Sequence, residues 1–123
     1  MSAVEDRLAG IGLTVPEVVP PVAAYTPAVR TGSYVYVSGQ LPMVAGAMAA
    51  TGKVGADVTP EQAKELAQAS ALNAIAAVKS VIGDLGRIKR VVKVLGMVNC
   101  APGFGETPQV IHGVSEFYYE VFG

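Results

Sequence analysis

The run Thr59-Pro60-Glu61-Gln62, followed by a stretch free of Gly and Pro as far as Ile82, constrains the fold of this chain more than any other feature. Thr59 suits an N-cap, Pro60 suits the first helical position, and Gln62 completes a T-x-x-Q capping box. The pattern predicts a helix to about Ile82, closed by Gly83. Leu66, Ser70, Asn73, Ala77 and Val81 fall on one face; Ala63, Ala67, Ala74, Val78 and Ile82 flank it. A helix face this rich in alanine predicts close approach to a sheet.

The other elements follow from shorter signals. Ser2 is placed to cap a short helix to about Ala9, with Val4, Leu8 and Ile11 at helical spacing and Gly10 and Gly12 ending it. Leu13 to Tyr25 is proline-rich and extended, so it is expected to cross a sheet. Tyr25 to Pro42 reads as a strand, a turn at Thr31-Gly32-Ser33, and a returning strand ending at Ser38-Gly39-Gln40. In the returning strand Tyr34, Tyr36 and Ser38 face one way and Val35 and Val37 the other. Leu41 to Asp57 reads as a long Gly- and Ala-rich loop whose Met43, Val44 and Met48 pack on something. Asp84-Leu85-Gly86 is a turn, and Ile88 to Val98 is expected to be a long strand, central and buried. After A-P-G-F-G-E, Thr107-Pro108 repeats the cap-plus-proline device for a second helix with Val110, Val114, Phe117 or Tyr118, and Val121 inward. The order predicts a single α+β domain with both main helices on one face of a mixed sheet.

Composition narrows the function classes. Apolar residues make up 51% of the 123-residue chain and charged residues 15%, against about 25% charged in an average soluble domain. With no Trp and many Ala and Val, the excess is small-residue surface, and its expected use is burial between subunits. The net charge of −1 and the pI of about 5.7 argue against a nucleic-acid binder. The one basic cluster, Arg87, Lys89, Arg90 and Lys93, alternates with Ile88, Val91, Val92 and Val94 and reads as a solvated strand face or edge. The opening residues, with acids early and no long apolar core, do not read as a secretory signal, and no apolar run reaches membrane-spanning length. The lone Cys100 fits a reducing cytoplasmic setting.

The candidate site gathers at the end of the returning strand. Ser38 offers a hydroxyl, Gly39 a bare backbone that a ligand can approach, and Gln40 an amide. Tyr25 lies beside them if the two strands pair. His112 is the only histidine and reads either as a pocket residue or as a helix-surface histidine. Cys100 reads as an inert thiol, with a Cys–His pair as the sharper alternative. With one His and one Cys, no metal site is expected. Ser38 lacks the base and elbow of a serine hydrolase. Rossmann, Walker, H-E-x-x-H, C-x-x-C and G-x-S-x-G motifs are absent.

These residues resemble the RidA family (YjgF, reactive intermediate deaminase; an older label is L-PSP endoribonuclease). The resemblance rests on Tyr25 standing before Ser38-Gly39-Gln40-Leu41-Pro42 with a glycine turn between, then Glu61-Gln62-Ala63, Leu72-Asn73-Ala74, Gly83 or Gly86, and Val91-Val92-Lys93-Val94. Val110-Ile111-His112-Gly113-Val114-Ser115 with Val121-Phe122-Gly123 is similar to a less characterised branch that reads V-I-N-G-A-S and V-F-G. The resemblance implies a chorismate-mutase-like α+β fold, a homotrimer whose sheets close into a barrel, and pockets between subunits. It implies a small-molecule carboxylate ligand, no metal or organic cofactor, and hydrolysis of enamines and imines to 2-oxo acids and ammonia.

Carried over residue by residue, Tyr25 matches the family's pocket tyrosine and Gly39 the glycine whose backbone contacts the ligand. His112 stands where the family usually has asparagine. The family's arginine, which clamps the substrate carboxylate, follows the V-F-G helix, and a closing strand and a glutamate come after it; Arg30, Arg87 and Arg90 do not occupy that motif. The expectation is a domain over residues 1–123 lacking its C-terminal strand, as part of a longer protein. The alternative is a short chain without the clamp. Three functions are thus in play: a Rid-type deaminase, a non-catalytic small-molecule binding trimer, and, from the older label alone, an endoribonuclease.

Overall fold

Helix α2 (Pro60–Ile82) is the spine on which the other elements pack in the computed structural model, which describes residues 2–123. Its capping box is complete: the Gln62 N–H donates to Thr59 Oγ1 at 3.2 Å, and the Thr59 N–H donates to Gln62 Oε1 at 2.9 Å. Gly83, at φ 77°, ends the helix and returns its N–H to the Lys79 carbonyl. Before it come α1 (Ala3–Gly10), β1 (Ala28–Thr31), β2 (Tyr34–Val37), β3 (Met43–Val44) and β4 (Ala47–Met48); after it come a 3-10 turn (Leu85–Arg87) and α3 (Thr107–Phe122). The domain is a small α+β unit in which α2 packs against α3, β1, β2 and β3.

β1 and β2 form the expected antiparallel hairpin, with Thr31 paired to Tyr34 and Ala28 to Val37. The turn is Gly32-Ser33, and Gly32 takes the positive φ of 56° that a glycine-first two-residue hairpin turn requires. Along β2 the tyrosines are exposed and Val35 and Val37 half-buried, so the valine face is the inner one. The stretch after Gln40 is more ordered than a loop. β3 and β4 pair as a second hairpin, Met43 with Met48 and Val44 with Ala47, across Ala45-Gly46 at φ 51° and 85°.

The main core joins the ends of the chain to its middle. Val4 and Leu8 of α1 pack with Ala71 and Ile75 of α2, Leu85, and Val114, Phe117 and Val121 of α3. Ser2 Oγ caps α1 by accepting from the Glu5 N–H. Arg7 Nη1 donates to the Val121 carbonyl at 3.0 Å, satisfying one of the acceptors that a helix C-terminus leaves open. A second cluster, Val54, Val58, Ala63 and Val110, closes the far end of the α2–α3 pair. α3 begins one residue earlier than the Thr107 cap implies: Glu106 is the N-cap and makes no side-chain capping bond. Phe117 takes the inward position, at 1% exposure.

Two expectations are corrected. The sheet is not one mixed sheet but two separate antiparallel pairs. Ile88 to Val98 is not a buried central strand: it carries no strand pairing, and Val92, Leu95 and Met97 are 72%, 77% and 83% exposed. A strand buried on both faces needs hydrogen-bonded neighbours about 4.8 Å away, and within one chain β1 and β2 pair only with each other. The segment is anchored at its end, where Val54 bridges Cys100 and exchanges backbone bonds with Asn99 and Ala101. It comes close to α3 at Gly96, where any side chain would overlap Ile111.

Candidate functional site

The site is built on the end of the first hairpin. The Ser38 N–H and hydroxyl both donate to the Pro27 carbonyl, at 2.9 and 3.2 Å, so β2 stays tied to the entry of β1 for one residue beyond the ladder. Gln40 Nε2 folds back to the Ser38 carbonyl at 3.4 Å. Between them Gly39 stands open: a Cβ placed there would meet no atom within 4 Å. Its missing side chain therefore answers no packing demand inside the chain and leaves the backbone free to be approached.

Tyr25 and Gly39 line one cleft, together with Val19, Pro20, Val22, Gln40, Leu41 and Met43. Tyr25 is 43% exposed. The proline-rich Leu13–Tyr25 segment thus reaches the hairpin end, where its Val19, Pro20, Val22 and Tyr25 line the cleft beside Gly39. The cleft measures only ≈ 20 Å³, room for about one water and well short of the roughly 300 Å³ at which small-molecule pockets begin.

The far wall is fixed from α2. Asn73, 3% exposed, is the buried polar residue among the described residues. Its Nδ2 donates to the Leu41 carbonyl at 3.1 Å and the Met43 carbonyl at 2.9 Å. The sequence pattern places Asn73 on an inward helix face but gives it no part in the site; the signal it offered was a lone amide on a face otherwise of Leu, Ser, Ala and Val.

The remaining candidates lie elsewhere. Ser38 uses its hydroxyl on Pro27 and does not line the cleft. His112 is exposed on α3, where Nε2 lies 2.9 Å from Glu116 Oε1; Lys64 Nζ reaches the same oxygen at 3.8 Å. Within one chain it does not join Tyr25 and Gly39. Cys100 is a half-buried free thiol on the Val54 bridge. Among the described residues, no group of three or more His, Cys, Asp or Glu could hold a metal ion, and no helix is long and apolar enough to cross a membrane. A larger groove of ≈ 380 Å³ runs between α2, α3 and the Met97–Asn99 stretch, with a mainly apolar lining.

Residues 5–123 match the family described as "YjgF/chorismate_mutase-like, putative endoribonuclease". The chain belongs to this YjgF family. Protein TCP17 of Trypanosoma cruzi is 38% identical over 122 residues, covering 98% of this chain and 75% of that protein. Among solved structures, Atu1372 from Agrobacterium tumefaciens, a protein of unknown function, is 41% identical with a TM-score of 0.89 over 98% of this chain and 73% of that one. "A putative endoribonuclease" from Shewanella oneidensis MR-1 is 35% identical with a TM-score of 0.94 over 98% of this chain and 80% of that one. In this YjgF domain the tyrosine and glycine that carried the resemblance line the same cleft, whereas the histidine at the asparagine position lies outside it.

Proposed function

We propose that the protein is a Rid-type deaminase that hydrolyses 2-enamino and 2-imino acids to 2-oxo acids and ammonia. The observation that carries this reading is the Tyr25–Gly39 cleft, an open backbone and a tyrosine lining one wall too small to hold a metabolite by itself. Such a wall suits a pocket completed by another copy, and we take the working form to be a homotrimer in the cytoplasm. The exposed apolar run Val91 to Met97 and the tyrosine face of β2 offer the surface for that assembly. His112, exposed on α3, is then available to a neighbouring copy's cleft.

The chemistry asks little of the protein. An enamine first takes a proton from water at C3 to become the imine; water then adds to the imine carbon, giving a carbinolamine. The C–N bond then breaks, the nitrogen leaves as ammonia, and the carbon becomes the ketone. The Gly39 backbone and the Tyr25 hydroxyl supply hydrogen bonds that orient the substrate and water.

Purified protein mixed with freshly generated 2-aminoacrylate is expected to speed ammonia release above the spontaneous rate; no acceleration would sink the deaminase reading. A second reading, a binding protein for small carboxylates, draws on His112 standing where the family usually has asparagine. It predicts a 2-oxo acid bound without turnover in the pocket that another copy completes. Against the endoribonuclease reading stand the net charge of −1 and the acidic pI of about 5.7; we expect no cleavage of single-stranded RNA.

A further inference from the structure

Leu41-Pro42-Met43 presents two carbonyls, Leu41 and Met43, toward α2, where Asn73 meets both. Pro42 has no N–H, so this stretch cannot be held by a continuous ladder. The local ties are the Met43–Met48 pairing of the β3–β4 hairpin, a tight turn closed by the Met43 N–H donating to the Leu41 carbonyl at 2.8 Å, and a bond from the Ala49 N–H to the Pro42 carbonyl at 2.9 Å. What fixes the stretch to the body of the domain is Asn73, whose single carboxamide nitrogen reaches both carbonyls.

An amide buried on a helix otherwise packed with Ala, Leu and Ile is a poor choice for stability alone, because an apolar residue of that size desolvates more cheaply. The choice makes sense where the backbone it grips needs a fixed height. That backbone continues directly from Gly39 and Gln40, and Leu41 and Met43 themselves line the cleft.

We propose that Asn73 is a positioning residue of the Tyr25–Gly39 pocket. Its two hydrogen bonds set where the Gly39–Met43 wall stands, and so the fit of a small 2-oxo or 2-imino acid. The ligand class rests on the deaminase reading above; the positioning role does not.

The test uses amide hydrogen exchange followed by NMR on wild type, Asn73→Asp, Asn73→Ser and Tyr118→Phe, with 2-oxobutanoate as the probe ligand. Tyr118→Phe removes a different hydrogen bond to α2, away from the pocket. Asn73→Asp keeps the size and loses both donors, and Asn73→Ser is the milder change should the aspartate variant not fold. The expected result is faster exchange at the Met43 and Ala49 amides, by about tenfold or more, with the amides of α2 no more affected than in Tyr118→Phe. In wild type the Asn73 carboxamide protons are expected to exchange more slowly than those of exposed Gln109. Uniform acceleration across the domain, or wild-type carboxamide protons as labile as those of Gln109, would overturn the proposal. For the ligand, 2-oxobutanoate is expected to bind about tenfold more weakly to the Asn73 variants and unchanged to Tyr118→Phe. Failure of wild type to bind it sinks the ligand class and leaves the exchange result to decide the role of Asn73.

Discussion

The Tyr118 hydroxyl donates to the Ala71 carbonyl at 3.0 Å, a side chain of α3 bonded to the backbone of α2 in the middle of the helix pair. Its ring stacks edge-on against Phe122, with centroids 5.6 Å apart. Tyr118→Phe keeps the ring and removes the bond, so unfolding free energy is expected to fall by about 1 kcal/mol. Chemical denaturation of the two proteins at pH 7 measures it; equal midpoints would show that the bond contributes nothing net.

The same residue predicts an alkaline limit. Burial pushes the Tyr118 phenol up from 10.0 to about 12. Its folded form holds the proton while the unfolded chain releases it, so unfolding is favoured as pH rises. The contribution is fully present below pH 10 and is lost between about 10 and 12. Wild type is expected to lose on the order of 2 kcal/mol more than Tyr118→Phe across that window. Parallel stability curves for the two proteins would contradict this.

Gly39 separates folding from function. A methyl group there meets nothing within 4 Å, so Gly39→Ala should change the melting temperature by less than about 2 °C. Gly39→Val should fold as well, yet both would crowd the cleft. Ammonia release is expected to drop about tenfold or more for valine. Full activity in a folded Gly39→Val protein would remove this backbone from the site.

The β3–β4 turn places Ala45 at φ 51°, a left-handed conformation that a Cβ makes unfavourable. Ala45→Asn creates the Asn-Gly pair that this two-residue turn favours. Thermal unfolding is expected to show a gain of about 0.5–1 kcal/mol. A loss would mean that the alanine methyl makes a contact worth more than the strain.

Thr59→Ala opens the capping box at the start of α2. A loss of about 1 kcal/mol is expected. Thr59→Ser should restore most of it, because the hydroxyl oxygen, not the methyl, accepts the Gln62 N–H. A serine variant no better than alanine would move the effect from the cap to packing.

Local signals were readable where the physics is local. The Thr59–Gln62 box and the Gly32-Ser33 turn each fix their own geometry within a few residues, and both elements stand where the sequence places them. The β3–β4 hairpin escaped notice because Ala45 sits where Asn or Gly would have marked the turn. The Ile88–Val98 run misled for a different reason: its apolar pattern reports the burial it wants, not whether a neighbouring strand lies beside it. For the site, the strand-end motif and the tyrosine before it brought three lining residues into view, Tyr25, Gly39 and Gln40, while Asn73 stood within the Leu72-Asn73-Ala74 match but acts across 30 and 32 positions of sequence, a role that the motif does not state.

The bond from Arg7 to Val121 spans 114 positions, and Leu8 beside it is wholly buried among residues of α3. On a ribosome adding about 5–20 residues per second, α1 emerges several seconds or more before the helix that will cover it. During that interval Val4 and Leu8 have no native partner on α3, so the first turns of the chain are the natural handle for a chaperone. Replacing them with polar residues would relieve that wait only by removing the clasp that closes the domain.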